Sequence, residues 1–251
     1  MQPGSSGDSS WSEAETQAQQ GLAPTPVHAR EFREGEPVTG ILLAGGRSRR
    51  MGRDKNWVTL NGRPLISWVL GALQEVSDHQ LIVAREPEQV MRLETLGVPV
   101  VVDKIEARGP LTGIHAGLKA IDTDLAVVVA CDMPLVRPDL LRLMAGAIGP
   151  MHAAVPYVGD AEPPTTIRAG GSAKDSGLQP LLAAYRRSCI PTLEKLLRSG
   201  PMPTTALLSV IKTRVVHPEI WREADPDGRS FHNVNTHEDL AAAARMLAGG
   251  S

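Results

Sequence analysis

The stretch that decides the fold reads Val38-Thr39-Gly40-Ile41-Leu42-Leu43-Ala44-Gly45-Gly46-Arg47-Ser48-Arg49-Arg50-Met51-Gly52-Arg53-Asp54-Lys55. Its first seven residues form a short apolar run, which is typical of a buried β-strand. Three glycines and five basic side chains follow within residues 45–55. Glycines allow a backbone to approach a ligand closely, and loop N–H groups and cations bind anionic oxygens. The stretch therefore predicts a polyphosphate-binding loop at the carboxyl end of a strand.

Other glycine-containing motifs do not fit this loop. The Walker A spacing fails because five residues separate Gly46 from Gly52 and Arg53 follows, and the dinucleotide-binding pattern G-x-G-x-x-G of dehydrogenases is absent. A nucleophile elbow fails because Arg50 stands where that motif has its final glycine. The alternative that stays open for this segment is a solvated basic surface loop.

Short apolar runs alternate with longer amphipathic stretches after residue 37. Strands are predicted at 38–44, 81–84, 98–102 and 125–130, and helices at 64–76, 113–121 and 138–147. Strands that are apolar throughout and separated by helices are typical of a parallel sheet buried on both faces. Further strands are predicted at 153–158, 179–185 and 214–217, and helices at 186–197 and 237–247. We therefore expect an α/β fold with a single doubly wound, mainly parallel sheet, which binds ligands at the carboxyl ends of its strands.

Composition divides the chain into two parts. Residues 1–36 are rich in Ser, Gln, Glu, Gly and Pro without any helical or strand period, so we predict a disordered N-terminal extension. Residues 37–251 are predicted to form one domain. A net charge of −2 and only 3% aromatic residues argue against a bulk nucleic-acid binder. Two cysteines exclude a disulfide framework, and neither a membrane span nor a secretory signal is visible, so we expect a cytoplasmic protein.

Aspartates follow two of the predicted strands. Asp132 comes just after the strand at 125–130, and Asp103 comes just after the strand at 98–102. Because Mg²⁺ is usually held by one or two carboxylates plus substrate phosphates, Asp132 fits a metal ligand that faces a bound triphosphate. The alternatives are an N-cap role for Asp132 and a turn-forming role for Asp103. Cys131 is predicted to pack within the strand.

The loop closely resembles the signature L-A-G-G-x-S-x-R-M-G-x-D-K of the molybdenum cofactor guanylyltransferases. The resemblance spans about residues 37–247 and implies the Rossmann-like nucleotidyltransferase fold of that family for the domain. Relatives that use CTP or sugar phosphates usually show L-A-A-G here, so Gly45-Gly46 favours guanine. The resemblance assigns nucleotide contacts to Leu43, Ala44, Gly45 and Gly46, and triphosphate contacts to Arg50 and Lys55.

Segments at the other strand ends resemble the same family. The family pattern of an Asp followed by G-P-L-x-G implies that Asp103 belongs to the nucleotide or magnesium site, and that Gly109, Pro110 and Leu111 contact the base or ribose of the nucleotide. Cys131-Asp132-Met133-Pro134 resembles the family's C-D-x-P, which implies that Asp132 binds the nucleotide and is the magnesium ligand. One departure is that Ala84 and Arg85 occupy the end of the second strand, where the family often carries an Asn.

The segment Phe231-His232-Asn233-Val234-Asn235-Thr236 resembles the family's F-x-N-V-N-T-P, with His237 in place of the Pro. The resemblance implies that Asn233 and Asn235 bind the acceptor substrate. The alternative is that Asn235 and Thr236 only cap the last helix, in which Asp239 stands at the capping-box position.

The reaction implied by the resemblance is transfer of GMP from GTP to the phosphate of molybdopterin, with Mg²⁺ as cofactor and pyrophosphate as leaving group. Arg50, Lys55 and Asp132 would be the catalytic residues. The implied partners are GTP and molybdopterin, without nucleic acid or membrane; transient contact with cofactor-biosynthesis or acceptor enzymes, and a monomer or weak homo-oligomer, are compatible with it. Two alternatives stay open: a nucleotidyltransferase of the same fold that uses CTP or another acceptor, and a non-catalytic nucleotide- or cofactor-binding module.

Overall fold

The computed structural model describes residues 36–45, 54–105, 109–159, 177–200 and 202–249. The predicted N-terminal extension lies outside the described residues, apart from Glu36. Most of the basic loop, including Gly46 and Arg50, lies outside them as well. What the sequence predicts for those residues stays a prediction.

A mixed sheet forms the centre of the described structure. Its strand order is β5-β4-β1-β6-β8-β7-β9, and a separate hairpin pairs β2 with β3. The strands β5, β4, β1 and β6 are parallel to one another, β8 is antiparallel to both β6 and β7, and β9 is parallel to β7. The predicted doubly wound, mainly parallel sheet is confirmed. The strand bounds are β1 Val38–Leu43, β2 Thr59–Leu60, β3 Arg63–Pro64, β4 His79–Ala84, β5 Val100–Val102, β6 Leu125–Ala130, β7 Ala153–Pro156, β8 Leu182–Arg186 and β9 Thr213–Val216.

Helices cover both faces of this sheet. Their bounds are α1 Leu65–Gln74, α2 Val90–Glu94, α3 Pro110–Ala120, α4 Pro138–Ala147, α5 Ile190–Arg198, α6 Thr204–Leu208, α7 Pro218–Trp221 and α8 His237–Ala248. Short 3₁₀ turns lie at Lys55–Trp57, Pro87–Gln89, Arg187–Cys189 and Arg229–Phe231. Among the described residues, none of the helices combines the length and the apolar character that crossing a membrane requires.

Prolines explain several of the differences between the predicted and the observed element boundaries. The helix predicted from residue 113 begins at Pro110, because proline suits the first turn of a helix. The strand predicted from residue 98 begins at Val100, because Pro99 has no N–H to donate to the sheet. The helix predicted at 186–197 is a 3₁₀ turn followed by α5, which carries Pro191 in its first turn.

The two faces of β1 pack against different helices. Ile41 and Leu43 point into a core cluster with α3, whereas Leu42 and Ala44 point into a second cluster with α1 and α4. A close approach of α3 to the sheet depends on Gly117, where a Cβ atom would lie 2.8 Å from Cγ2 of Ile41. The parallel order brings the carboxyl ends of β1, β4, β5 and β6 to one edge, where the predicted site residues lie.

Candidate active site

The ammonium group of Lys55 contacts two other predicted site residues. Lys55 Nζ donates to Asp132 Oδ2 at 3.0 Å and to Asn235 Oδ1 at 2.8 Å. The Lys55 side chain is only 8% exposed, while that of Asp132 is 25% exposed. Three residues that lie far apart in the sequence, each singled out above, are therefore in direct contact.

A short turn fixes Lys55 against the end of β1. The carboxylate of Asp54 accepts a hydrogen bond from the Asn56 N–H at 3.2 Å, which begins the 3₁₀ turn. Asn56 Nδ2 donates to the main-chain oxygen of Ala44 at 3.0 Å. Asn56 is almost fully buried, and its Oδ1 has no hydrogen-bond partner among the described residues. Sequence reasoning missed Asn56; the only signal was a polar residue between Lys55 and the apolar Trp57.

Asp132 lies where β6 ends and the chain turns. It does not cap α4, because the N-cap position of that helix is Arg137, so the capping alternative fails. The main-chain oxygen of Asp132 accepts a hydrogen bond from the Val234 N–H at 2.8 Å, which joins the C-terminal segment to this strand end. Burial, and then the neighbouring Asp132 carboxylate, raise the pKa of the Cys131 thiol to about 12, in keeping with a packing role for Cys131.

The C-terminal segment serves two purposes at once. Both the Asn235 and the Thr236 N–H groups donate to Asp239 Oδ2 at 2.8 Å, and Thr236 Oγ1 accepts from the Asp239 N–H, which completes the capping box of α8. These hydrogen bonds, above all that from Asn235, lower the pKa of Asp239. The side chain of Asn235 is turned to Lys55. Asn233 is placed differently, with its Nδ2 donating to the Phe231 oxygen at 3.5 Å.

Asp103 belongs to a second polar cluster at the ends of β4 and β5. Its Oδ2 accepts hydrogen bonds from Arg85 Nη1 and from Thr112 Oγ1, and its Oδ1 accepts from the Ile105 N–H at 3.1 Å. The Asp103 side chain is 2% exposed. The contact of Oδ1 with the Ile105 N–H is the turn-forming role given above as the alternative. The carboxylate of Asp103 contacts Arg85 and not Lys55. A nucleotide or magnesium role for Asp103 stays a prediction.

The residues predicted to line the nucleotide differ in what they expose. Leu43, Ala44 and Leu111 are buried, and Gly45 is exposed. The Ala44 N–H donates to the Val83 oxygen at 2.9 Å, while its own oxygen accepts from Asn56. Gly109 has a φ of 154°, which favours glycine, and it precedes Pro110 at the beginning of α3. Of these described residues, Gly45 and the segment at 109–110 are the ones open to a ligand, and nucleotide contacts at these positions stay a prediction.

Comparison with known proteins identifies the family to which this chain is similar. Residues 40–213 match the family model of the MobA-like NTP transferase domain. A molybdenum cofactor guanylyltransferase from Desulfosudis oleivorans is 34% identical over 219 residues, which cover 86% of this chain and 98% of that protein. A probable molybdenum cofactor guanylyltransferase from Pelotomaculum thermopropionicum is 36% identical, with 85% of this chain and 95% of that protein covered.

Solved structures with a similar fold include a protein of the same family. The crystal structure of molybdopterin-guanine dinucleotide biosynthesis protein A from Archaeoglobus fulgidus matches with a TM-score of 0.69 and 28% identity, covering 84% of this chain and 98% of that chain. A 4-diphosphocytidyl-2C-methyl-D-erythritol synthase from Anaerococcus prevotii matches with a TM-score of 0.62 at 16% identity over 86% of this chain and 100% of that chain, which shows a shared fold alone. The chain therefore belongs to the molybdenum cofactor guanylyltransferase family of MobA-like NTP transferases, and it is a nucleotidyltransferase.

Proposed function

We propose that this nucleotidyltransferase transfers GMP from GTP to the terminal phosphate of molybdopterin and releases pyrophosphate. The observation that carries the proposal is the Lys55 ammonium, held between Asp132 and Asn235. It supplies a fixed positive charge beside a carboxylate at the sheet edge where parallel strands bind ligands. The names of the two guanylyltransferase relatives and of the Archaeoglobus fulgidus protein, which refer to guanylyl transfer or to the guanine dinucleotide cofactor, support GTP as the donor and the molybdenum cofactor as the acceptor.

Of the two aspartates that follow β5 and β6, one is placed to bind magnesium. Among the described residues, no group of three or more His, Cys, Asp or Glu side chains is arranged to bind a metal. Asp132 is partly exposed at a strand end, whereas the Asp103 carboxylate is enclosed by Arg85 and Thr112. Asp132, together with substrate phosphates, would therefore hold Mg²⁺. When bound, Mg²⁺ supplies positive charge against the charge that builds on the transferring phosphates.

The reaction needs no proton transfer by the protein. An oxygen of the molybdopterin phosphate, which is already an anion, forms a bond to the α-phosphorus of GTP. The bond between that phosphorus and the oxygen bridging to the β-phosphate breaks, and pyrophosphate leaves. The residues act by positioning and by stabilising charge. Lys55 is buried and held by two acceptors before substrate binds, so little reorganisation is needed at the moment of transfer.

The decisive experiment incubates the protein with molybdopterin, Mg²⁺ and each of GTP, CTP, ATP and UTP, and measures pyrophosphate release. We expect turnover with GTP, and a ~10²–10⁴-fold lower rate for Lys55→Ala and for Asp132→Ala, the scale of losing an electrostatic stabiliser. Faster turnover with CTP than with GTP would show that CTP, and not GTP, is the nucleotide donor. Binding of GTP without turnover would show a binding module instead of an enzyme of this reaction.

The matched control is Lys119→Ala. Lys119 pairs with Glu194 at 3.2 Å on the surface of α3, outside the Lys55 cluster. Surface pairs of this kind contribute little to stability, so this variant should keep both its fold and its rate. A near-wild-type rate for Lys55→Ala or Asp132→Ala, with the fold verified by circular dichroism, would contradict the assigned roles.

A further inference from the structure

A cavity of about 730 Å³ opens beside the Lys55 turn in the described part of the chain. Its walls come from that turn, from β2, from α2 and from the beginning of α8. Cavities of roughly 300–1,000 Å³ are the size that small organic ligands occupy. The lining residues include Asp54, Trp57, Thr59, Arg92, His237 and Leu240.

The cavity lies within the length of one small molecule from the reactive centre. Asp54 and Trp57 are one and two residues from Lys55, and His237 is two residues beyond Asn235. Since consecutive Cα atoms are ~3.8 Å apart, these backbone positions lie within ~8 Å of the residues that hold the ammonium contact. These short backbone separations put the cavity within reach of a small molecule whose phosphate binds near Lys55.

The chemistry of the walls suits a flat nitrogen heterocycle. The guanidinium carbon of Arg92 lies 4.1 Å from the centroid of the Trp57 ring. Arg92 is exposed, and none of the ion pairs formed among the described residues involves it. A guanidinium plane stacks on aromatic rings and donates hydrogen bonds to a ligand. The Asp54 carboxylate can accept hydrogen bonds from a ligand. Together they match a ring edge that carries a carbonyl next to an N–H, an edge that the pterin ring and guanine share.

The position of the cavity favours the acceptor over guanine. Leu43 and Leu111, from the segments expected to bind nucleotide, pack in the core cluster on the α3 face of the sheet. Trp57 packs against the core on the opposite face, and Leu240 against the small cluster beneath α8. The two sets of residues are thus separated by the sheet edge that carries Asp132.

We propose that this cavity holds the pterin ring system of the acceptor, with Trp57 and Arg92 as specificity-determining residues. The inference rests on the proposed function and adds residues that the family signature does not contain. Both side chains contact the ring system and not the reacting phosphates.

The test compares steady-state kinetics of the full chain for Arg92→Leu and Trp57→Phe with the wild type, varying molybdopterin and GTP separately. Arg92→Leu is expected to raise the KM for molybdopterin 10- to 100-fold, the effect of losing a hydrogen bond from a charged group, and to leave the KM for GTP unchanged. Arg222→Leu is the matched control, because Arg222 lies 5.2 Å from the ring centroid of Trp221 in an equivalent pair outside the cavity.

A titration of tryptophan fluorescence with isolated molybdopterin gives a second readout that needs no turnover. Quenching is expected in the wild type and should be largely lost in Trp57→Phe. An increase in the KM for GTP instead, or unchanged constants for both substrates, would overturn the assignment. If the wild type transfers no GMP, the proposed function fails; quenching that does not depend on Trp57 then overturns the cavity assignment separately.

Discussion

Replacing Asn56 by leucine should separate the positioning of Lys55 from the stability of the fold. The substitution keeps the branched shape of the side chain but removes the hydrogen bond from Nδ2 to the Ala44 oxygen. It leaves that buried oxygen without its partner, at a cost of about 1–3 kcal/mol. It also removes Asn56 Oδ1, a buried atom that no described residue satisfies, which recovers a desolvation penalty of about the same size.

The two effects nearly cancel, so the free energy of unfolding should change by no more than ~1.5 kcal/mol in either direction. Activity should behave differently, because the hydrogen bond is what ties the Lys55 turn to the end of β1. A displacement of about 1 Å at a reacting centre lowers rates by ~10²-fold. We therefore expect Asn56→Leu to fold normally and to lose about two orders of magnitude in kcat/KM.

Urea unfolding followed by circular dichroism measures the first quantity, and pyrophosphate release measures the second. Gln80→Leu serves as control, since Gln80 Nε2 also donates to a main-chain oxygen, that of Ser77 at 3.1 Å, but lies at the beginning of β4, away from the site. A wild-type rate in Asn56→Leu would refute the positioning role. Destabilisation by more than ~3 kcal/mol, the upper end for a buried polar group left unpaired, would refute the cancellation.

Three further predictions concern the framework. Asp239→Asn should lower the free energy of unfolding by ~0.5–1 kcal/mol at pH 7, because a charged helix cap is lost. The pKa of Asp239 is lower in the folded than in the unfolded protein, so the stabilisation is present above the pKa of the unfolded state and is lost as the pH falls through the pKa of the folded state. Unfolding curves of the wild type and the variant should therefore converge in acid. Gly117→Ala should destabilise by ~1–3 kcal/mol through overpacking against Ile41, whereas Gly113→Ala in the same helix, with its nearest contact at 3.4 Å, should not; thermal unfolding compares them. Cys131 and Cys189, both buried with pKa values raised to about 12, should react with a disulfide reagent at pH 8 only after denaturation.

Local patterns in the sequence were sufficient for the sheet and for the strand end that carries Asp132. An apolar run such as residues 125–130 reports burial on both faces, and burial on both faces implies a parallel sheet with its ligand site at one edge. Proline effects shifted the boundaries by a few residues only. These inferences succeed because each depends on neighbours in the chain.

Tertiary partners could not be derived in this way. The contact of Lys55 with Asn235 joins residues 180 positions apart, and no local period encodes it. The role of Asn56 depends on the orientation of two amide atoms relative to Ala44. The sequence also could not show that the Asp103 carboxylate is enclosed. That property depends on its contacts with Arg85 and Thr112, which are distant in the sequence.

The pairing of Asp103 with Arg85 bears on how charge is distributed across the site. Arg85 offsets one strand-end carboxylate within the fold, so the partly exposed carboxylate near Lys55 is Asp132. Of the two strand-end carboxylates, only that of Asp132 is therefore open to a triphosphate that approaches this edge. Since an unpaired buried charge is costly, Lys55 needs Asp132 and Asn235 while the site is empty, and phosphate oxygens can share the ammonium once they arrive. Under the proposed function, the contacts that stabilise Lys55 in the absence of substrate would thus also hold its charge where the transfer reaction needs it.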